Sequence, residues 1–413
     1  MIIYRFRIRR LDCNDALLAG FSGSSARILL YNHRGTYFRC MAELKKTTLL
    51  GLTLQELTQV AEESGQPSYR GRQLFEAVYE ERVDATERIS TLPHEFRDRL
   101  NQDGIAVGVP VIKGRFASID GTVRYLMEFA DGQTVETVWM PKGDNGEAGD
   151  GSEADTQADE PTRRKDRSTI CVSSQAGCAV DCQFCLTALL GLKRNLTAGE
   201  IVGQVCAVLN DQQVSPLQSR VNIVFMGMGE PFLNYDNFMK AARLLVEGVG
   251  IAESRMTVST AGIVPRIYDF GAEPVRPKLA ISLNASNDKL RTRLMPINQK
   301  WNLQQLMAAA RDFPLKNREK VTFEYVLLDG INDAAQNARE VAELVRGLRA
   351  KINLIAFNPG PGVAFQTPAD VRVTEFKEIL RSAGVPAFVR RPRGRDIYAA
   401  CGQLKRTLEP DAA

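Results

Sequence analysis

The chain has 413 residues, 44% apolar and 25% charged, which is the make-up of an ordinary globular protein with room for one large core and an appendage. No apolar run approaches the ~18 residues of a membrane span. The basic start, residues 1–10, lacks the apolar stretch and cleavage site of a secretory signal, so a cytoplasmic location is expected. Only two histidines occur, His33 and His94, which leaves almost no material for zinc-hydrolase or histidine-base chemistry. The net charge is +4, but residues 143–161 hold seven acids and no Lys or Arg, so the remainder carries seven more positive charges than the whole. A basic body with an acidic tether favours a polyanionic partner such as RNA.

Residues 1–41 lack the periodicity of a domain, and Met41-Ala-Glu-Leu-Lys-Lys resembles a fresh start; an extension outside the fold is expected. From Thr53 to about Asn101 apolar residues recur at i, i+3, i+4 spacing: Leu54, Leu57 and Val60, then Leu74, Phe75, Val78 and Tyr79. That predicts a small, basic helical domain over 42–103, with a break at Ser68-Tyr-Arg-Gly-Arg. Alternating runs at 117–129 and 133–140, joined by Asp131-Gly132, predict a β-hairpin extension within 104–142. The acidic, Gly-rich stretch 143–166 reads as a disordered surface insertion.

From Ser168 onward a regular alternation sets in. Strand-like runs lie at 169–173, 221–226, 256–260, 278–283, 321–328 and 351–357. Helix-like segments lie between them at 198–209, 235–247, 288–293 with 303–310, and 334–348. Six such units predict an α/β fold of parallel strands wrapped by helices. Six falls short of the eight in a closed barrel, so a partial barrel over 167–408 is expected, with reactive groups at the C-terminal ends of its strands.

The run Gly177-Cys178-Ala-Val-Asp-Cys182-Gln-Phe-Cys185 follows the first of those strands. Three thiolates at x₃ and x₂ spacing describe an iron–sulfur cluster with one iron left open for a small molecule to be reduced there. The alternative is a zinc knuckle with Cys171 as fourth ligand, although structural zinc sites usually pair two C-x₂-C units, or cysteine with histidine. Phe184, between the last two cysteines, suits a cluster loop shielded from water. A disulfide framework is not expected from eight cysteines clustered in so long a chain.

Met226-Gly-Met-Gly-Glu230-Pro ends the second strand, where the glycines let backbone approach a ligand and Glu230 offers a carboxylate to an amino group. Ser259, Ser282, Leu283, Asn284 and Asn358 stand at later strand ends; singly each reads as a cap or turn residue, together they outline a polar rim. Cys401, between small alanines and Gly402, reads as an accessible loop thiol. Upstream, Arg390, Arg391, Arg393 and Arg395 read either as a solvated face or as phosphate contacts. Cys13, Cys40 and Cys206 read as bystanders.

Taken together, these residues resemble the RlmN/Cfr family of radical S-adenosylmethionine RNA methyltransferases, and most closely its adenine-C2 branch. The resemblance covers roughly residues 42–408. It rests on Val135-Glu136-Thr, Cys171-Val-Ser-Ser-Gln-Ala-Gly-Cys178, Arg194-Asn-Leu-Thr, Gly227-Met-Gly-Glu-Pro and Ala399-Ala-Cys401-Gly-Gln-Leu. It implies that Cys178, Cys182 and Cys185 ligate a [4Fe–4S] cluster. Gly229, Glu230, Ser259, Ser282, Leu283, Asn284 and Asn358 would contact S-adenosylmethionine, of which two molecules are used per turnover. It further implies that Cys401 carries the methyl group, Cys171 resolves the adduct and Glu136 accepts the proton. Family members often have His where Asn284 stands. The implied substrates are a peptidyl-transferase-centre adenine of 23S rRNA and the adenine 3′ to the anticodon in tRNA. The implied enzyme is a monomer with RNA contacts in 42–103 and an electron donor such as flavodoxin with its reductase. Methylation at C8 of the same rRNA adenine uses the same cysteines. A glycyl-radical activase shares the triad but gives no role to Cys401 or Cys171, and a non-methylating cluster- or zinc-bearing RNA-binding protein is the alternative from another class.

Overall fold

A computed structural model describes residues 27–31, 37–41, 47–141, 167–390 and 392–404. The acidic insertion at 143–166, Cys13 and Arg391 lie outside the described residues. Within the N-terminal extension, β1 (Arg27–Tyr31) and β2 (Tyr37–Met41) pair antiparallel, with Tyr31 opposite Tyr37.

Helix α1 (Leu54–Glu63) starts where Thr53 and Glu56 cap each other. The Thr53 hydroxyl accepts from the Glu56 amide at 3.3 Å, and the Glu56 carboxylate accepts from the Thr53 amide at 2.7 Å. Helix α2 (Tyr69–Phe75) begins inside the stretch read as a break. Gly71 is not a breaker there: a Cβ on it would lie 2.3 Å from the Thr58 Cα, so the residue lets α1 and α2 approach closely. Helix α3 (His94–Gln102) follows. The inward residues of this segment, among them Leu57, Leu74, Tyr79 and Phe96, belong to the same hydrophobic cluster as the strands that follow.

Strands β3 (Val111–Ala117), β4 (Val123–Glu128) and β5 (Thr134–Pro141) form an antiparallel meander. The expected hairpin is thus three strands. The run read as one strand from 117 is cut at Asp120-Gly121, where Gly121 has φ +82° and the Asp120 carboxylate accepts from the Thr122 amide at 2.8 Å. Through β5 the meander joins β6 (Arg167–Cys171), antiparallel. A separate short ladder pairs β7 (Gln175–Ala176) with β8 (Arg194–Asn195).

From β6 the sheet continues through β9 (Arg220–Phe225), β10 (Met256–Thr260), β11 (Lys278–Ser282), β12 (Val321–Leu327), β13 (Ala350–Ala356) and β14 (Ala387–Arg390), every pairing parallel. The parallel strands number seven, not six; β14 is a four-residue strand too short to show periodicity. The crossover helices include α5 (Ala198–Asp211), α6 (Tyr235–Glu247), α8 (Asp288–Leu294), α9 (Leu303–Asp312) and α10 (Ala335–Leu344), where expected. Three more were not anticipated: α4 (Leu186–Leu189), α7 (Val264–Gly271) and α11 (Asp370–Ser382).

The sheet curls. Arg390 ends β14, five strand positions from β9, and flat spacing would separate them by about 24 Å. Yet its Nη1 lies 3.6 Å from the Met226 sulfur, one residue past β9. The parallel strands therefore wrap into an open, partial barrel. Among the described residues no helix is long and apolar enough to cross a membrane.

Candidate active site

The C-terminal ends of the parallel strands open onto one cavity holding about 950 Å³ of space, part of it open to solvent. Met226, Ser259, Ser282, Glu324, Ile355 and Arg390 bring strands β9 to β14 to its wall. The volume is that of a small-molecule site.

Cys178, Cys182 and Cys185 line the same cavity. Their loop is rigidly seated. Gly177 has φ +89°, and a Cβ on it would fall 1.8 Å from the Gly191 carbonyl oxygen, so only glycine fits the close return of chain at 191. The Cys178 amide donates to that same oxygen at 3.3 Å, and the Gln183 amide to the Leu294 carbonyl at 3.0 Å. Val180 and Phe184 pack on an apolar pad of Ala261, Leu294, Met295, Leu328 and Phe357. Burial pushes the Cys178 thiol up to about 12 and raises Cys182 and Cys185 as well. Thiolates would form there as a metal centre takes them. Among the described residues no group of three His, Cys, Asp or Glu side chains is arranged around a single ion. A cluster asks for nothing of the kind, since three of its irons would each take one thiolate and the fourth stays open, and the three-sulfur donor set fits it.

Opposite the cysteines stands the Gly227–Glu230 turn. Gly227 and Gly229 do more than admit a ligand. A Cβ on Gly227 would meet the Ser173 Oγ at 2.7 Å, and one on Gly229 (φ +96°) the Gln175 Cβ at 2.5 Å. The turn thus packs directly against the segment that leads from β6 into the cysteine loop. Glu230 lines the cavity, yet its Oε1 accepts from the Phe232 amide at 2.9 Å and its Oε2 from the Ala261 amide at 2.7 Å. Each oxygen keeps a second lone pair for a ligand. Burial outweighs these bonds and pushes its carboxyl up to about 7.

Ser259 and Ser282 share a hydroxyl contact at 3.3 Å on the cavity wall. Asn284 sits there too, in the left-handed region with φ 56°. Its side chain is already engaged: Oδ1 accepts from the Val326 amide at 2.8 Å and Nδ2 reaches the Met295 sulfur at 3.3 Å. Leu283 is fully buried and its amide donates to the Glu324 carbonyl at 3.0 Å. Asn358 is buried just beyond β13; its neighbour Phe357, not Asn358 itself, lines the cavity.

Cys401 is exposed and lines this cavity from the far end of the chain. Hydrogen bonds carry it there. The Leu186 amide donates to the Gly402 carbonyl, the Thr187 hydroxyl to the Leu404 carbonyl and the Gln403 Nε2 to the Pro359 carbonyl, all at 2.8 Å. The β3–β4 turn adds a latch: the Ser118 hydroxyl donates to Asp396 at 2.6 Å, and the Gly394 amide to Asp120 at 2.9 Å.

Cys171 ends β6, within range of the charge of Cys401. Burial pushes its thiol up to about 12, with Cys401 adding to the rise and Arg390 opposing it. Cross-strand pairing sets Val138 opposite Cys171 and Arg124 opposite Val138. Since side chains alternate, Arg124, Glu136, Val138 and Cys171 share one face of the sheet. Glu136 is fully buried, its carboxylate paired with Arg124, and it is not on the cavity wall. Cys206 is buried in α5, as a bystander would be.

Several partners escaped the sequence reading. Arg124 had a signal: a charge inside the apolar run 122–127 needs a counter-charge on the next strand. Arg390, expected either on a solvated face or in contact with phosphate, turns into the cavity, 3.9 Å from Glu324. Asp120 and Asp396 gave no signal, because the bonds they accept, from Gly394 and Ser118, join segments remote in sequence.

The chain matches the radical SAM superfamily over residues 172–345. It is 64% identical over 346 residues to a protein of Koribacter versatilis named a probable dual-specificity RNA methyltransferase RlmN, covering 84% of this chain and 98% of that one. A dual-specificity RNA methyltransferase RlmN of Syntrophobacter fumaroxidans is 45% identical, over 85% of this chain and 96% of its own length. The crystal structure of a radical SAM methyltransferase from Sphaerobacter thermophilus superposes with a TM-score of 0.78 at 41% identity, over 87% of this chain and all of that one. With this identity across nearly whole relatives, the chain belongs to the RlmN family of radical S-adenosylmethionine RNA methyltransferases, whose cofactors are a [4Fe–4S] cluster and S-adenosylmethionine.

Proposed function

We propose that this RNA methyltransferase adds a methyl group to C2 of an adenine, in the peptidyl-transferase centre of 23S rRNA and 3′ to the anticodon in tRNA. The observation that carries the reading is one cavity shared by Cys178, Cys182, Cys185 and the remote Cys401; Cys171 stands within reach of the charge of Cys401. When bound, the cluster and two S-adenosylmethionine molecules per turnover supply the methyl group and a radical that takes hydrogen from it.

The chain's own residues do the rest. Cys178, Cys182 and Cys185 hold the cluster, while Gly229, the Glu230 carboxylate, Ser259, Ser282, Leu283, Asn284 and Asn358 hold the cofactor. C2 of adenine lies between two ring nitrogens and is electron-poor, so it does not attack a methyl sulfonium; a thiolate does. Cys401 therefore receives the methyl carbon through a new C–S bond as the methyl–sulfonium bond breaks and S-adenosylhomocysteine leaves. After that carbon has bonded to C2, Glu136, turned from Arg124 towards the cavity, takes the C2 proton, and the one electron left on the ring would be taken up by the oxidised cluster. Cys171 then attacks the Cys401 sulfur: the sulfur–carbon bond breaks, its electron pair leaves with the carbon, which is protonated, and a disulfide closes. An external donor such as flavodoxin with its reductase restores the thiols and feeds the cluster.

The target base leaves its stack to reach the cavity. The segment 42–103 contacts the RNA backbone through arginines such as Arg70, Arg88 and Arg97. The enzyme acts as a monomer in the cytoplasm, where its thiols stay reduced.

Nucleoside mass spectrometry of RNA treated with anaerobically reconstituted enzyme tests the reading. 2-Methyladenosine is expected; 8-methyladenosine would assign the sister activity, and no methylated base would reject both. Cys171→Ala is expected to accumulate a protein–RNA adduct visible as a shifted gel band, and clean turnover by that variant would reject its resolving role.

A further inference from the structure

Three arginines are buried among the described residues. Two are matched by buried carboxylates: Arg124 by Glu136, and Arg276 by Glu319 at 2.9 Å. The third, Arg291 on α8, is fully buried and bonds only to neutral acceptors. Its Nη2 donates to the Ala261 carbonyl at 2.7 Å and the Ser282 carbonyl at 3.1 Å, its Nε to the Leu283 carbonyl at 3.2 Å, and its Nη1 to the Asn298 Oδ1 at 3.0 Å. A buried charge without a counter-ion is costly. Bracing of strand ends would be served as well by a neutral donor, so the charge calls for its own account.

Its position supplies one. Ala261, which takes the shortest of these bonds, and Leu294, one turn along α8, belong to the pad on which Cys178 and Cys182 pack. The amide next to Cys182, that of Gln183, is tied to the Leu294 carbonyl. The ionisable groups near enough to act on Arg291 are Cys182, charged once it is a thiolate, and Asp288. Asp288 is exposed, and its Oδ1 is occupied by the Leu303 amide at 2.8 Å and the Asn298 Nδ2 at 2.9 Å.

The geometry points to Arg291 as the residue that sets the reduction potential of the cluster held at Cys178, Cys182 and Cys185. This rests on the reading that those cysteines bind it. Reduction adds one electron, and no bond in the protein breaks. A permanent cation behind the ligand wall, screened little in a low-dielectric interior, favours the reduced state. Guanidinium suits the role because it stays charged throughout the working pH range.

The test is a dithionite titration of reconstituted full-length protein, with the reduced cluster followed by electron paramagnetic resonance and iron and sulfide counted per chain. Arg291→Gln keeps donors for the carbonyls and removes the charge. It is expected to lower the reduced fraction at a given poise tenfold, a downward shift of about 59 mV for one electron. Arg291→Lys should stay near the unsubstituted protein. Asp288→Asn, which removes an exposed opposing charge, should move the potential upward by less. Fully loaded Gln and Lys variants with equal potentials would overturn the proposal and leave Arg291 a brace. If Arg291→Gln does not fold, an Asp288→Asn potential at or below that of the unsubstituted protein overturns it. An unsubstituted protein without iron and sulfide would instead overturn the cluster assignment, and the proposal with it.

Discussion

Glu230 accepts two backbone amides and still has its carboxyl pushed up to about 7, because burial dominates. A group whose folded pKa lies above its ordinary value of 4.5 keeps a proton that the unfolded chain has released. Its contribution to stability is complete below 4.5 and is lost as pH rises through about 7. Melting of the metal-free protein is therefore expected to weaken between pH 5 and pH 8, less steeply in Glu230→Gln; parallel profiles would contradict this. Gly229→Ala brings a Cβ within 2.5 Å of Gln175 at a positive φ. Denaturant titration should show a loss of about 1–3 kcal/mol. At this scale the sequence pointed to the Cys178–Cys185 run and Cys401 by their spacing and surroundings, and these four cysteines meet at one cavity. It was not readable where a side chain's partner is settled by tertiary contact. Asn284 faces the cavity but spends both ends of its amide on Val326 and Met295, and Arg390 points inward because the sheet curls.

Among the elements, the β3–β4 turn has the least obvious task. Asp120 and Asp396 fasten it to the segment that delivers Cys401. Burial opposes ionisation of Asp120, but the bond from the Gly394 amide and those around Thr122 win and hold its carboxyl below the usual range. Asp120→Ala and Asp396→Ala should each slow methylation of Cys401 about tenfold, as loss of one charge-assisted hydrogen bond of about 1.5 kcal/mol would. Time-resolved mass spectrometry of the Cys401 peptide reads this, and an unchanged rate would show the latch to be idle. The central strands were legible as apolar runs of the right length, and α5 and α6 as amphipathic or buried periodicity. β3 was not, since an edge strand with alternating exposure and a register shift between Ile112 and Gly114 carries a weak apolar signal. α11 was missed because its charged residues, from Asp370 to Arg381, mask the stripe of Val373, Phe376 and Leu380.

For the whole molecule, the segment read as a separate helical domain packs its inward residues into the barrel's own cluster. Gly199 of α5 lies so near Leu50 that a Cβ would fall 2.2 Å from its carbonyl oxygen, and the Gly51 amide donates to the Tyr79 hydroxyl at 2.9 Å. A fragment spanning 42–103 is expected to lack stable helix by circular dichroism, whereas the full chain unfolds with the segment in one transition. A cooperatively melting fragment would contradict this. The partial barrel and the meander act together: the strands bring the cysteine loop and the polar wall of Glu230, Ser259 and Ser282 to one mouth, and the β3–β4 turn of the meander fastens the segment that carries Cys401. That convergence on Cys401 is most directly tested by peptide mass spectrometry of reconstituted enzyme after incubation with S-adenosylmethionine alone. The account predicts one added methyl group on Cys401 and none on Cys171 or Cys206; a methyl-free Cys401 in enzyme that goes on to methylate RNA would contradict it.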